Sequence, residues 1–284
     1  MIDDMDQMGD LGPRGDAPPE VTLLGGFRLT YAGRDVDLPM SGQRLVAVLA
    51  LRGRQSRSGL AGTLRPDTTE HRAQASLRTD IWRVNQAAPD LVVARSGQVS
   101  LDLRVRIDVA DLVCRSVAVM GGADIDISDL YPGALAGELL PDWDDPWLFD
   151  ERERLHQLRL HMLEAAADRL TITGQFGLAI EVAFCVMRAD VLRESAHRTL
   201  IRAHLAEGNI GEARRAYVAC EQLLDRELGV SPTREMICLV AGIARPGDAV
   251  VTGMRRVTAK VDGPGAATSV DPTRDDGRNA TEGI

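Results

Sequence analysis

Between about His71 and Gln86 the sequence sets Arg72, Arg78 and Arg83, with Ser76, Thr79 and Gln86, away from an apolar stripe of Ala73, Leu77, Ile81 and Val84 at helical spacing. Such a polar set can hydrogen-bond an anion. A guanidinium stays charged and donates two parallel bonds, to a phosphate or to O6 and N7 of guanine. The hydroxyls of Ser76 and Thr79 are short donors for phosphate or base edges. Downstream, Leu91–Arg95 and Gln98–Leu101 read as a hairpin with Gly97 supplying the turn, so Arg95 and Gln98 sit near its tip. Trp82 also falls on the polar side, and packing of its ring against the rest of the protein is expected before a phosphate contact.

The elements that must position these residues are short. Val21–Thr30 is an apolar run broken by Gly25 and Gly26, and Asp35–Leu38 follows as a second strand, giving a small antiparallel sheet. Pro39–Leu51 turns helical, with Ser41 as cap and a stripe of Leu45, Val48 and Leu49. Arg57–Leu64 is a weaker helix, because Gly59 and Gly62 each cost up to about 1 kcal/mol of helix propensity. Asp67 stands as N-cap of the third helix, with Glu70 three residues on. A sheet, three helices and a hairpin describe a winged helix-turn-helix, whose third helix enters the major groove of DNA while the hairpin reaches the backbone or minor groove.

A charged face on a lone helix is ordinarily just solvated, and the 284-residue chain is acidic, with net charge −9. The charge is partitioned, however. Residues 21–110 hold 13 arginines against eight acidic residues, a net +5, whereas residues 111–240 hold 13 against 22, a net −9. A basic module joined to an acidic one is the organisation expected of a DNA-binding domain coupled to a protein-contact domain. Residues 1–20 and 241–284 read as disordered tails from their Asp, Gly and Pro content. No run reaches the roughly 20 apolar residues of a membrane helix. Asp3, Asp4 and Asp6 stand where a secretion signal would be basic, so a cytoplasmic protein is expected.

From Asp108 to about Asp142 the pattern is mixed, and then helices dominate: 147–173, 176–189, 194–207 and 210–228. Gly174-Gln-Phe-Gly-Leu-Ala179 and Gly208-Asn-Ile-Gly-Glu-Ala213 repeat one pattern 34 residues apart, the period of tetratricopeptide-type helix hairpins. The fold class is therefore mainly α, an α+β winged helix followed by all-α helical repeats, which build surfaces for protein contacts.

Other chemistry finds little support. Trp143-Asp-Asp-Pro-Trp147 could line a sugar site, but reads better as the start of a helix with acids at its positive end. His156 and His161 diverge around a helix, and His197 and His204 stand about 10.5 Å apart along one, too far to share a metal. Cys114, Cys185, Cys220 and Cys238 are scattered and read as buried, unreactive thiols. No enzyme activity, metal or cofactor is expected.

Four stretches carry a family resemblance: Leu24-Gly-Gly-Phe-Arg-Leu29, Arg72–Val84, Asp142–Trp147 with Glu151–Leu155, and Glu227-Leu-Gly-Val-Ser-Pro-Thr233. In these the chain resembles the Streptomyces antibiotic regulatory proteins, the SARP family. The resemblance implies an OmpR-like DNA-binding domain followed by a bacterial transcriptional activator domain, binding to promoter direct repeats, possession of RNA polymerase as a partner, and a homodimer on DNA. Activation of a gene cluster of the secondary-metabolite type follows from it. Larger relatives append a nucleotide-binding domain; no G-x-x-x-x-G-K-[ST] occurs here. Arg65 stands where relatives carry an aromatic, which with Gly59 and Gly62 leaves open an alternative, an interaction adaptor whose winged helix no longer binds DNA.

Overall fold

The computed structural model describes residues 17–123 and 137–241. Most of the two tails read as disordered, and part of the mixed stretch before Asp142, lie outside the described residues, whereas Glu20 and Ala241, assigned to those tails, belong to a strand and a helix. β1 (Glu20–Thr22), β2 (Arg28–Tyr31) and β3 (Arg34–Asp35) make an antiparallel meander with Val21 opposite Leu29. α1 (Met40–Arg52) buries Leu45, Val46, Val48 and Leu49 in the apolar cluster that also holds Val21 and Leu29. Ser41 does not cap this helix: Pro39 holds the N-cap position without a side-chain bond. β4 (Gln55–Ser56) leads into α2 (Arg57–Leu64), where the Ser56 hydroxyl accepts from the Gly59 amide and offsets part of the glycine cost.

α3 (Glu70–Ala87) starts after Thr69 and not at Asp67, and neither residue supplies a side-chain cap. It is followed by the hairpin of β5 (Val92–Arg95) and β6 (Gln98–Leu101). Ser96 and Gly97 turn it at φ +51° and +76°, both left-handed, as a two-residue hairpin turn that matches the strand twist requires. β4 pairs with β6, making a three-stranded sheet in the order β4-β6-β5. β7 (Arg106–Ile107) returns to lie parallel to β1 and completes the first sheet as β3-β2-β1-β7.

The sequence pattern did not disclose α4 (Asp108–Met120). Its four valines favour strand by propensity, but Val109, Leu112, Ser116 and Val119 recur at helical spacing and are buried. The Asp108 carboxylate accepts from the amides of Leu23 and Leu24 and ties the helix to the end of β1.

Helices α5 (Leu148–Ile172), α6 (Phe176–Ala189), α7 (Glu194–Glu207), α8 (Ile210–Leu228) and α9 (Arg234–Ala241) then stack as hairpins. The repeat appears in three dimensions. Gly174 and Gly208 turn the two hairpins at φ +77° and +86°, and Ala179 and Ala213 are fully buried where the paired helices meet. Ion pairs join every other helix: Glu164 with Arg193 at 2.8 Å, Asp168 with Arg202 at 2.8 Å, and Glu235 with Arg198 at 2.6 Å.

The two parts share one core. Trp143, Leu148 and Leu155, from the start of the helical part, sit in the same apolar cluster as Val21, Leu45, Leu77 and Val99. Backbone bonds cross the seam as well, from Gly25 N to Glu138 O (2.8 Å) and from Leu140 N to Leu23 O (2.9 Å). A Cβ on Gly137 would lie 2.6 Å from the Gly25 Cα, so only glycine allows this approach.

The thiols divide. Cys220 is fully buried, as expected, but Cys114 and Cys238 are exposed, contrary to the sequence reading, and Cys185 is half-buried. Burial pushes the Cys220 thiol up to about 11. A maleimide-type reagent at neutral pH is expected to label Cys114 and Cys238 in seconds to minutes and to leave Cys220 unlabelled until the protein unfolds. The linkage sign is also fixed. Cys220 favours folding while neutral, so its contribution is whole below the ordinary thiol value of 9.0 and is lost as pH rises through about 11. Alkaline denaturation of a Cys220→Ser variant should therefore begin from lower overall stability but show a shallower decline across that window.

Candidate nucleic-acid interface

The structure places Arg72, Arg78, Thr79, Arg83, Arg95 and Gln98 at the surface, and Ser76 half-buried. At about 100° per residue, Arg72, Ser76, Thr79 and Arg83 fall within an arc of about 60° on α3, and Arg78 lies on its flank beside Trp82. The Thr79 hydroxyl donates back to Ala75 O at 3.3 Å, which leaves its oxygen free to accept. Among the described residues no carboxylate pairs with Arg72, Arg78, Arg83 or Arg95. The acidic part does meet the basic part, but elsewhere: Asp145 pairs with Arg44 at 3.0 Å and Glu151 with Arg52 at 3.4 Å, both on α1.

Trp82 is a correction. It does not pack against the helical part but stands 61% exposed on the arginine-bearing side of α3. The other tryptophans do the docking. Trp143 is buried and stacks on Phe27, with ring centroids 6.1 Å apart, while Trp147 lies under the Arg52 guanidinium at 5.8 Å. These contacts account for the Trp143–Trp147 segment as the start of a docked helix.

The buried side of α3 contains one charge, Asp80, only 3% exposed. Its carboxylate accepts from Arg65 Nη2 at 2.8 Å and from Ser41 Oγ at 2.7 Å, so one side chain joins α1, the end of α2 and α3. Arg65 is thus the partner of a buried acid, and the ion pair ties the end of α2 to α3. At the other end of α3, the Asn85 amide makes two bonds to the backbone of Val92, each 2.9 Å, and fixes the hairpin against the helix. The hairpin turn is held at its tip, where Arg57 N donates to Gly97 O at 2.9 Å.

Sequence reasoning missed Asp80 and Asn85. Asp80 interrupts an otherwise apolar stripe one position before Ile81, a detectable signal; Asn85, just before the hairpin, had none. Among the described residues no three or more His, Cys, Asp or Glu side chains gather as a metal site. No described helix is long and apolar enough to cross a membrane.

Comparison with known proteins agrees with this architecture. The bacterial transcriptional activator domain family matches residues 128–243. Regulatory protein AfsR of Streptomyces griseus is 28% identical over 237 residues, covering 79% of this chain and 24% of that protein. Regulatory protein AfsR of Streptomyces coelicolor is 30% identical over 225 residues, covering 74% of this chain and 22% of that protein. The chain thus spans under a quarter of the length of these relatives. The solved structure of Mycobacterium tuberculosis EmbR in complex with a low-affinity phosphopeptide superposes with a TM-score of 0.65 at 17% identity, over 78% of this chain and 64% of that one, a likeness of fold. With its winged helix ahead of a bacterial transcriptional activator domain, the chain belongs to the SARP family of transcriptional regulators.

Proposed function

We propose that the chain activates transcription by binding promoter DNA sequence-specifically in the cytoplasm, with residues 21–110 docking α3 in the major groove and the hairpin against the backbone. Residues 111–240 would contact RNA polymerase, and two copies would sit on direct repeats as a homodimer, regulating a gene cluster of the secondary-metabolite type. The observation that carries this reading is electrostatic. Arg72 and Arg83, with half-buried Ser76 and exposed Thr79 between them, share one arc of α3, and among the described residues no carboxylate neutralises them, although the molecule as a whole is strongly acidic. Local potential, not net charge, governs the encounter with a polyanion.

The roles are separable. Arg72 and Arg83 sit centrally enough to read bases, and Arg78, Arg95 and Gln98 stand where phosphates would pass. Genome-wide footprinting of the tagged protein gives the operator, and gel shifts on that duplex test the face. Arg83→Ala is expected to lose about 1–3 kcal/mol of binding if the guanidinium reads a base. Arg78→Ala and Arg95→Ala should each flatten the salt dependence by about one unit of slope. Unchanged operator binding in all three variants would reject this face and leave the protein-interaction adaptor as the reading.

A further inference from the structure

The composition of α6 is at odds with its position. A surface helix carries polar residues on its outer side, and one that is apolar all round belongs in an interior. Among the 14 residues of α6 only Glu181 and Arg188 are charged, and no other side chain offers a hydroxyl or an amide. Yet its buried residues are only Ala179, Val182, Ala183 and Val186. Ile180 and Met187 are half-buried, and Leu178 and Phe184 are exposed. At about 100° per residue, Gly177, Glu181, Phe184 and Arg188 fall within an arc of about 60° opposite the buried residues, and all four are exposed. The two charges stand two turns apart, too far to pair along their own helix. Among the described residues neither meets an opposite charge, and the Arg188 guanidinium donates to Cys185 Sγ at 3.0 Å.

We propose that the outer face of α6 pairs with the same face of a second copy of this chain, antiparallel across a two-fold axis. Such a contact must be self-complementary, each residue meeting a fixed counterpart on the other copy. α6 meets this condition about one point. An axis between Phe184 and Cys185 lies midway between Glu181 and Arg188, so Glu181 faces Arg188 of the second copy and Arg188 faces its Glu181. The same axis sets exposed Leu178 toward exposed Val191 of the second copy and brings the two Phe184 rings together beside it. Two unpaired charges become two ion pairs, and the apolar outer side is covered. The helix is about 21 Å long, and its face alone falls short of the roughly 800 Å² per partner of a standard interface. A reversible dimer with Kd on the order of 10 μM is therefore expected. Copies on direct repeats are related by translation and rotation along the duplex, so this two-fold pairing is a different contact and does not rest on the DNA-binding reading.

Sedimentation velocity of the full chain without DNA, over about a decade of concentration either side of that Kd, tests the pairing. Wild type should pass from monomer to dimer. Glu181→Arg and Arg188→Glu each set like charges together twice across the axis and should weaken pairing by about a hundredfold or more. Mixed in equal amounts, the two variants should dimerise again, because every arginine then faces a glutamate. Glu181→Gln with Arg188→Gln removes the charges without repulsion and should weaken pairing by about tenfold. Far-ultraviolet circular dichroism of each variant separates lost pairing from lost fold. A wild type that stays monomeric throughout overturns the proposal. So does a wild-type dimer that the single variants leave unchanged, which would place self-association on another surface, and so does a mixture of folded variants that remains monomeric.

Discussion

Arg65→Ala is expected to destabilise the protein by about 3–5 kcal/mol, measured by urea unfolding, because it leaves the Asp80 carboxylate buried with only the Ser41 hydroxyl as partner. The reciprocal change, Asp80→Ala, should cost less. Arg65 keeps a quarter of its side chain exposed and can turn its charge to water, whereas Asp80 cannot. Replacing both, as Arg65→Met with Asp80→Leu, should recover most of the loss, since an apolar pair of similar volume avoids desolvating two ions. The double variant then separates stability from function. If the ion pair sets the tilt of α3, the refolded protein loses discrimination between operator and random duplex while retaining non-specific binding. An Arg65→Ala unfolding midpoint equal to the wild type would show that Asp80 finds another partner and would remove this account.

The second large effect is expected at the seam. Arg152, on the first turns of α5, donates from Nε to Leu139 O at 2.9 Å and from Nη2 to Leu140 O and to Trp143 O, the latter at 2.7 Å. The three carbonyls belong to the chain that carries the β1 seam into α5. Hydrogen bonds to a charged group contribute about 1.5–3 kcal/mol each but do not add, so Arg152→Ala should cost about 3 kcal/mol. Arg152→Lys should rescue little, because a single ammonium on a flexible stem cannot reproduce the planar fork. Thermal unfolding followed by circular dichroism checks both, and equal midpoints for Arg152→Lys and wild type would show that charge alone suffices.

What could be read in the sequence was what repeats or punctuates. The α3 stripe, the Ser96-Gly97 turn and the 34-residue recurrence at Gly174 and Gly208 are local patterns, and each appears in the structure. Elements sustained by partners far along the chain were not legible. β4 and β7 are two residues each and exist only through β6 and β1. α4 is composed like a strand and is made a helix by Asp108 at its start and by packing on α5. The same division holds at the interface. The arginines of α3 could be chosen from periodicity, whereas Trp82, on the same polar side and expected to pack its ring against the rest of the protein, stands exposed.

The shared apolar cluster has a geometric consequence. With Leu148 and Leu155 embedded beneath the winged helix, the described parts of the two halves share one core, so in the proposed mode of binding the repeat stack projects from the duplex at a fixed azimuth. Inserting about five base pairs between neighbouring operator copies, half a turn of the double helix, would swing one stack to the far side of the DNA axis without altering a single contact in either groove.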